Sequence, residues 1–262
     1  MQVYDSDDEG SDNEDESLSH NEVKKDLYAI VVKKTNKDDL KQPDCSLKEI
    51  LPNLPTGILV VGKSGSGKTQ AIVNLMTNKK LLQGTFDFVY FWTGIHPDKE
   101  LIKDLELSDQ NIKIDFNEND VSKIMNKMEQ SVKKVGFIKT PSVLFIFDDI
   151  LGNTDFLKSK TLVKLASANR HMNISYIISS QYYKKIPPVV RTNASYFMIF
   201  PSSDIELQKI ADELTPPSMN KKQFLDIAKY ATKDKYSFLS INSKCMSKNQ
   251  LRKGFNTVLN FK

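Results

Sequence analysis

Apolar residues fall along this chain in short continuous runs separated by amphipathic stretches, and the two patterns alternate. Gly57–Val61 (GILVV), Phe86–Thr93 (FDFVYFWT), Val143–Phe147 (VLFIF), Ile174–Ser180 (ISYIISS) and Ser195–Phe200 are continuous enough to predict buried strands. Ile112–Phe116 and Tyr236–Ile241 are further strand candidates. Gln70–Met76 predicts a buried helix, and Val121, Ile124, Met125, Met128 and Val132 recur at helical spacing. Phe156–Arg170 and Met219–Tyr230 are two more helix candidates. Ser203 and Glu206 have capping-box spacing ahead of an apolar face of Leu207, Ile210, Ala211 and Leu214. Buried strands alternating with helices predict an α/β layer fold with a mainly parallel sheet.

The flanks differ. Residues 1–22 are polar, low in complexity and strongly charged, and cannot bury enough surface to offset their ordering entropy. A disordered acidic tail is expected there, followed by an N-terminal extension, 23–55, and a folded domain, 56–262. The extension opens on a strand candidate, Leu27–Val32, and is then punctuated by Pro43, Pro52 and Pro55. The other end of the chain, Lys244–Lys262, is basic.

Charge sharpens that division. The net charge of +4 combines 37 basic with 33 acidic residues. Nine of the carboxylates, and no Lys or Arg, lie in residues 1–22, so taking nine from 33 leaves 24 against 37, a body of +13. Such a surplus favours a polyanionic partner such as nucleic acid. Arginine is scarce, at Arg170, Arg191 and Arg252, so each is expected where its planar donors matter. There is no apolar run of about 18 residues and the N-terminus is acidic, which supports neither a membrane span nor a secretory signal. A soluble, intracellular protein is expected. Cys45 and Cys245 are isolated, and with only His20, His96 and His171 they argue against a structural zinc site.

The sharpest chemistry is GKSGSGKT, comprising Gly62, Lys63, Ser64, Gly65, Ser66, Gly67, Lys68 and Thr69, which fits GxxxxGK[ST] at every fixed position. Glycines let the backbone turn tightly so that successive N–H groups face a β-phosphate. Lys68 supplies a mobile cation for the β- and γ-phosphates, Thr69 is the expected Mg²⁺ ligand, and the helix N-terminus adds partial positive charge. A strand before this loop and a helix after it are the context that the chemistry requires.

A second constellation ends the apolar run at Asp148 and Asp149, at the C-terminal end of a strand, where open α/β sheets place their ligands. Asp148 is placed to hold Mg²⁺ and Asp149 to orient the attacking water. Gln181 ends the next strand and can sense a γ-phosphate. Tyr182, Tyr183, Lys184 and Lys185 then interleave aromatics and cations, a pattern that can grip a phosphodiester backbone. Trp92 reads as core rather than as an adenine-stacking platform.

In this order, GKSGSGKT, FIFDD and NRHMNISYIISSQYYKKIPPVVRTN resemble the FtsK-HerA superfamily of DNA-pumping ATPases, and within it the poxvirus-type DNA-packaging ATPases of large double-stranded DNA viruses and their virophages. The likeness runs from about Leu54 to Phe200. Its third motif, RHxNISxIxxSQ followed by PxxxRxN, is far more specific than the phosphate loop. The resemblance implies a P-loop NTPase with a RecA-like sheet, carrying an extra strand between the phosphate-loop strand and the Asp-Asp strand. It implies ATP and Mg²⁺, and a hexameric or pentameric ring that threads double-stranded DNA into a capsid. Capsid or membrane-associated virion proteins would be further partners, in the host cytoplasm or the virion. By the family pattern Lys68 and Thr69 bind phosphate and Mg²⁺, Asp148 the Mg²⁺, Asp149 the water and Gln181 the γ-phosphate. The trans-acting arginine falls on Arg170, with Arg191 as runner-up. Asp149 stands where many relatives carry Glu, although Asp recurs in the viral branch.

Other functions share the phosphate loop. A nucleoside kinase needs an Arg-bearing lid, for which three arginines leave little material. A scaffold that binds ATP without hydrolysis, and a cellular or plasmid-type DNA pump of the same superfamily, complete the alternatives.

Overall fold

The continuous apolar runs become strands: Gly57–Val61, Val143–Asp148, Ile174–Ser180 and Tyr196–Ile199 are buried throughout, whereas Phe88–Thr93 opens on an exposed Phe88. The computed structural model describes residues 50–94, 103, 105, 107–150, 152–245 and 250–259. The acidic stretch 1–22, the strand expected at Leu27–Val32, Cys45, His20 and His96 lie outside the described residues. All that is described belongs to one compact unit, Asn36–Lys262. Leu51 and Leu54, near the end of the N-terminal extension, are buried in its core.

The strands are β1 (Gly57–Val61), β2 (Phe88–Thr93), β3 (Ile112–Ile114), β4 (Val143–Asp148), β5 (Ile174–Ser180), β6 (Tyr196–Ile199), β7 (Leu239–Asn242), β8 (Leu251–Lys253) and β9 (Thr257–Val258). They form one sheet in the order β3-β2-β4-β5-β1-β6-β7-β8-β9. From β3 to β6 neighbouring strands run parallel, and from β6 to β9 they run antiparallel. The sheet is therefore mainly parallel, and β5 lies between the phosphate-loop strand and the Asp-Asp strand.

Period-two alternation assigns each strand residue to one of two cores. Leu59, Val61, Trp92, Phe145, Phe147, Tyr176 and Ile178 share one face; Ile58, Val60, Phe91, Leu144, Ile146 and Ile177 share the other. The first face is covered by α2 (Glu118–Val135), α3 (Thr154–Lys158), α4 (Lys160–Ala168), α5 (Pro188–Asn193), α6 (Asp204–Leu214) and α7 (Lys221–Ala231), through Val121, Met125, Phe156, Leu162, Leu165, Val190, Leu207, Ile210 and Phe224. The second is covered by α1 (Lys68–Thr77), through Ala71, Ile72 and Leu75. Trp92 is fully buried, stacked at 5.0 Å on Phe147 and edge-on to Phe145 at 5.1 Å. Removing a ring from such a cluster, as in Phe147→Ala, costs about 3–5 kcal/mol.

Several local expectations change. The helix expected over Phe156–Arg170 is broken at Ser159. The Ser159 hydroxyl caps α4 by accepting from Leu162 N at 3.0 Å and donates to Glu118 Oε1 at 2.7 Å, and Asn169–His171 closes the segment as a 3₁₀ turn. The Ser203 box is only half formed: Ser203 Oγ accepts from Glu206 N at 3.3 Å, while the Glu206 carboxylate turns instead to Tyr183 N at 3.2 Å. A reciprocal box occurs at Asn220 and Gln223, opening α7. The Ile112 strand stops at Ile114 because Asp115 takes φ 63°. Similarly, Tyr236 has φ 64°, so the strand expected from there begins at Leu239. The basic C-terminal stretch, given no element from sequence, supplies β8 and β9.

Candidate nucleotide-binding site

Parallel register brings the chemical residues to one edge of the sheet. Val61 pairs with Ser180 and Ile199, and Thr93 pairs with Asp148. The C-terminal ends of β1, β2, β4 and β5 thus open side by side. Gly62 N donates to Ser180 O at 3.0 Å and Lys63 N to Pro201 O at 3.3 Å, which anchors the start of the loop between the flanking strands. Gly67, at φ 98°, then turns the chain into α1. It provides no capping side chain, and the first turn of α1 contains no carboxylate. The helix start therefore keeps the field and the orphan N–H groups that favour an anion.

The ammonium of Lys68 is mostly buried and donates to Gly62 O at 2.9 Å and Lys63 O at 3.0 Å. Burial lowers its pKa below the ordinary lysine value, and the charges of Asp148 and Asp149 offset part of that effect. The Thr69 hydroxyl donates to Asp148 Oδ2 at 2.8 Å, which pairs the two expected Mg²⁺ ligands across the loop. Ser66 Oγ is buried with no hydrogen-bond partner. An orphaned hydroxyl in the loop, beside a buried lysine, a carboxylate–hydroxyl pair and an uncapped helix start, fits a Mg²⁺–nucleotide triphosphate.

Asp148 is buried at the end of β4, while Asp149 is exposed and held at φ 54°. That conformation brings its carbonyl close to β2: a Cβ on Gly94 would lie 2.9 Å from Asp149 O, so position 94 accepts only glycine without a shift. Gln181 Nε2 reaches Asp149 Oδ1 at 3.4 Å, a long hydrogen bond that leaves both groups free to move towards a ligand. A cavity of about 330 Å³ is lined by the loop and by Lys68, Thr69, Asp148, Asp149, Gln181 and Tyr236.

The three arginines differ. Arg170 is exposed on the 3₁₀ turn before β5, so it lies towards the opposite edge of the sheet from this cavity. Arg191 is buried: Nε and Nη2 clasp Glu213 at 2.9 and 3.0 Å, and Nη1 donates to Ile186 O. Such a fully engaged guanidinium holds a loop in place. Arg252 is buried in β8 and donates to Asn256 O at 3.2 Å.

The residues after Gln181 are tied to α6. Tyr183 is buried and donates its hydroxyl to Glu213 Oε2 at 2.9 Å, and Lys184 pairs with Glu213 Oε1. Burial opposes ionisation of Glu213, yet hydrogen bonds from Arg191, Lys184 and Tyr183 outweigh it and lower its pKa to about 2. Lys185 Nζ lies 4.7 Å from the centroid of the half-exposed Tyr182 ring. Of the two lysines, Lys185 thus keeps the less neutralised charge. Glu213 does not stand out in sequence, Glu206 is legible there only as a capping-box partner, and Tyr236 only as the start of a strand candidate.

The profile of the Poxvirus A32 protein family matches residues 47–259. Uncharacterized protein 075L of Invertebrate iridescent virus 6 is 27% identical over 150 residues, covering 55% of this chain and 53% of that protein. DNA packaging protein OPG160 of Variola virus is 25% identical over 162 residues, covering 59% and 56%. The chain thus spans a little over half the length of these relatives. The genome packaging NTPase B204 from Sulfolobus turreted icosahedral virus 2, in complex with ATP-gammaS, superposes with a TM-score of 0.52 at 16% identity, covering 78% of this chain and 98% of that one. The cytoplasmic domain of the Thermomonospora curvata type VII secretion ATPase EccC gives 0.51 at 14% identity, covering 78% and 25%. These two likenesses are of fold. The family match extends over the phosphate loop, both aspartates and Gln181, and the chain belongs to the Poxvirus A32 protein family.

Proposed function

We propose that this chain is an ATP-driven double-stranded DNA translocase that packages a viral genome, working as a ring. The observation that carries the reading is the joining of Thr69 to Asp148, beside Lys68, Asp149 and Gln181, on one sheet edge of a chain whose relatives include a DNA packaging protein.

The loop amides and Lys68 bind the phosphates of ATP, with Lys68 leaving its two carbonyl partners to do so. Thr69 and Asp148 would hold Mg²⁺, which when bound neutralises charge on the β- and γ-phosphate oxygens. Asp149 orients the attacking water in line with the γ-phosphorus, and Gln181 contacts the γ-phosphate. Arg170, exposed and remote from its own cavity, serves the site of the next subunit. Movement of Gln181 passes to the Tyr182–Lys185 segment, where Lys185, and Lys184 more weakly, contact the DNA backbone. Backbone contacts disregard sequence, as a pump requires, and make binding salt-sensitive. The setting would be the infected host cytoplasm or the virion, with capsid or membrane-associated virion proteins as partners. No helix among the described residues is long and apolar enough to cross a membrane.

Phosphate release with and without long duplex DNA, together with a screen for phosphate transfer to nucleosides, tests this reading. Duplex-stimulated release without transfer is expected. Transfer to a nucleoside, or ATP binding with no hydrolysis under any DNA condition, would replace it with the kinase or the scaffold.

A further inference from the structure

The polar groups of the cavity all suit the phosphate end of a nucleotide, which leaves the base without a seat. Among the described residues, Tyr236 is the one aromatic side chain lining that cavity. Its position is built rather than incidental. It sits on the turn between α7 and β7 at φ 64°, a conformation that is unfavourable for a bulky residue and persists only where the surroundings impose it.

The surroundings are well defined. Ser237 donates to Asp234 O from both N and Oγ, at 3.1 and 2.7 Å, closing the turn. The Asp234 carboxylate pairs with Lys253 of β8. Phe238 follows immediately and packs on Phe200 at 4.9 Å and on Phe255 at 5.1 Å, while Phe200 N donates to Val61 O at 2.7 Å. The antiparallel C-terminal strands thereby fix the turn against the end of β1. Tyr236 lies directly on the loop: a Cβ on Gly67 would be 3.1 Å from the ring atom Cδ1. Yet the residue is 57% exposed, and the ring face not turned to the loop is covered, among the described residues, only by the exposed Lys235 side chain, Nζ 4.8 Å from the centroid, which a base would displace. Trp92, the single tryptophan, is fully buried and cannot take this part.

We propose that Tyr236 is the platform on which the nucleobase stacks, with its ring covering Gly67 so that base and phosphates are gripped by adjoining surfaces of one cavity. The assignment rests on the nucleotide reading of the site. Stacking accepts any flat base, so Tyr236 favours nucleotides over bare polyphosphates without choosing among bases. It also gives the C-terminal antiparallel strands a function, since they are what holds the turn against the phosphate loop.

Calorimetry with Mg²⁺, comparing ATP with inorganic tripolyphosphate, tests the proposal. Tyr236→Ala should weaken ATP about tenfold or more and leave tripolyphosphate within about twofold, while Tyr236→Phe should retain ATP affinity. In Tyr236→Trp, ATP should quench the new indole and tripolyphosphate should not. Equal weakening of both ligands by Tyr236→Ala would mean that the ring only supports the loop, and unchanged ATP affinity would mean that it does nothing; either overturns the platform while leaving the phosphate site intact. If the unmodified chain binds tripolyphosphate but gains nothing from the base, the platform alone is wrong. If it binds neither ligand, the nucleotide reading is wrong as well.

Discussion

The hydroxyl of Thr69 donates a 2.8 Å hydrogen bond to Asp148 Oδ2, joining the first turn of α1 to the end of β4 across 79 residues of sequence. The pair presents a carboxylate and a hydroxyl oxygen together, as a hard divalent cation requires. Asp148→Asn keeps an oxygen acceptor for Thr69 and removes only the charge. Thermal stability should hardly change, while Mg²⁺-dependent ATP hydrolysis should fall about 100-fold or more. Turnover within about tenfold of the unmodified chain at saturating Mg²⁺ would show that Asp148 is not a metal ligand.

Arg170 is the exposed arginine whose guanidinium is not committed to Glu213, and it lies away from its own cavity. An arginine finger is worth about 10³–10⁵ in kcat, so Arg170→Ala should nearly abolish hydrolysis with nucleotide affinity within a few fold. Mixing Arg170→Ala subunits with Lys68→Ala subunits should restore part of the activity, because an intact Arg170 then meets an intact phosphate loop at some interfaces. Absence of rescue in rings shown to be mixed, or hydrolysis persisting at tens of per cent in Arg170→Ala alone, would rule out a trans-acting role.

The Glu213 cluster predicts a pH signature. Its folded pKa, about 2, lies below the ordinary glutamate value of about 4.3. The linked stability is therefore fully present above the ordinary value and is lost as pH falls towards 2. Glu213→Gln should destabilise by about 1–3 kcal/mol at pH 7, measured by urea unfolding, and the gap should narrow at pH 3. A gap independent of pH would mean that the charge contributes nothing.

The site was legible in sequence where spacing and chemistry coincide. Gly62–Thr69 specifies its own loop, and the continuous runs ending at Val61, Asp148 and Ser180 specify buried parallel strands whose register then assembles the cavity. The burial of Trp92 follows from its place in such a run. What escaped has no period to detect. β8 and β9 are three and two residues long, too short for alternation to show, and lie among lysines. The apolar stripe Phe156, Leu162, Leu165 runs on through Ser159, where the cap on Leu162 N and the contact with Glu118, 41 residues away, together make the break. Glu213 meets Arg191 across 22 residues by tertiary packing alone. Tyr236 opens an apolar run that reads as a strand, and its left-handed backbone is imposed by the turn around it.

The most direct test of the central claim is whether ATP turnover moves the protein along DNA. A third-strand oligonucleotide annealed far from the end of a long duplex should be displaced in a time that lengthens with distance, only with ATP and Mg²⁺, and not by Lys68→Ala. Hydrolysis that proceeds at full rate while the third strand stays in place would contradict the account.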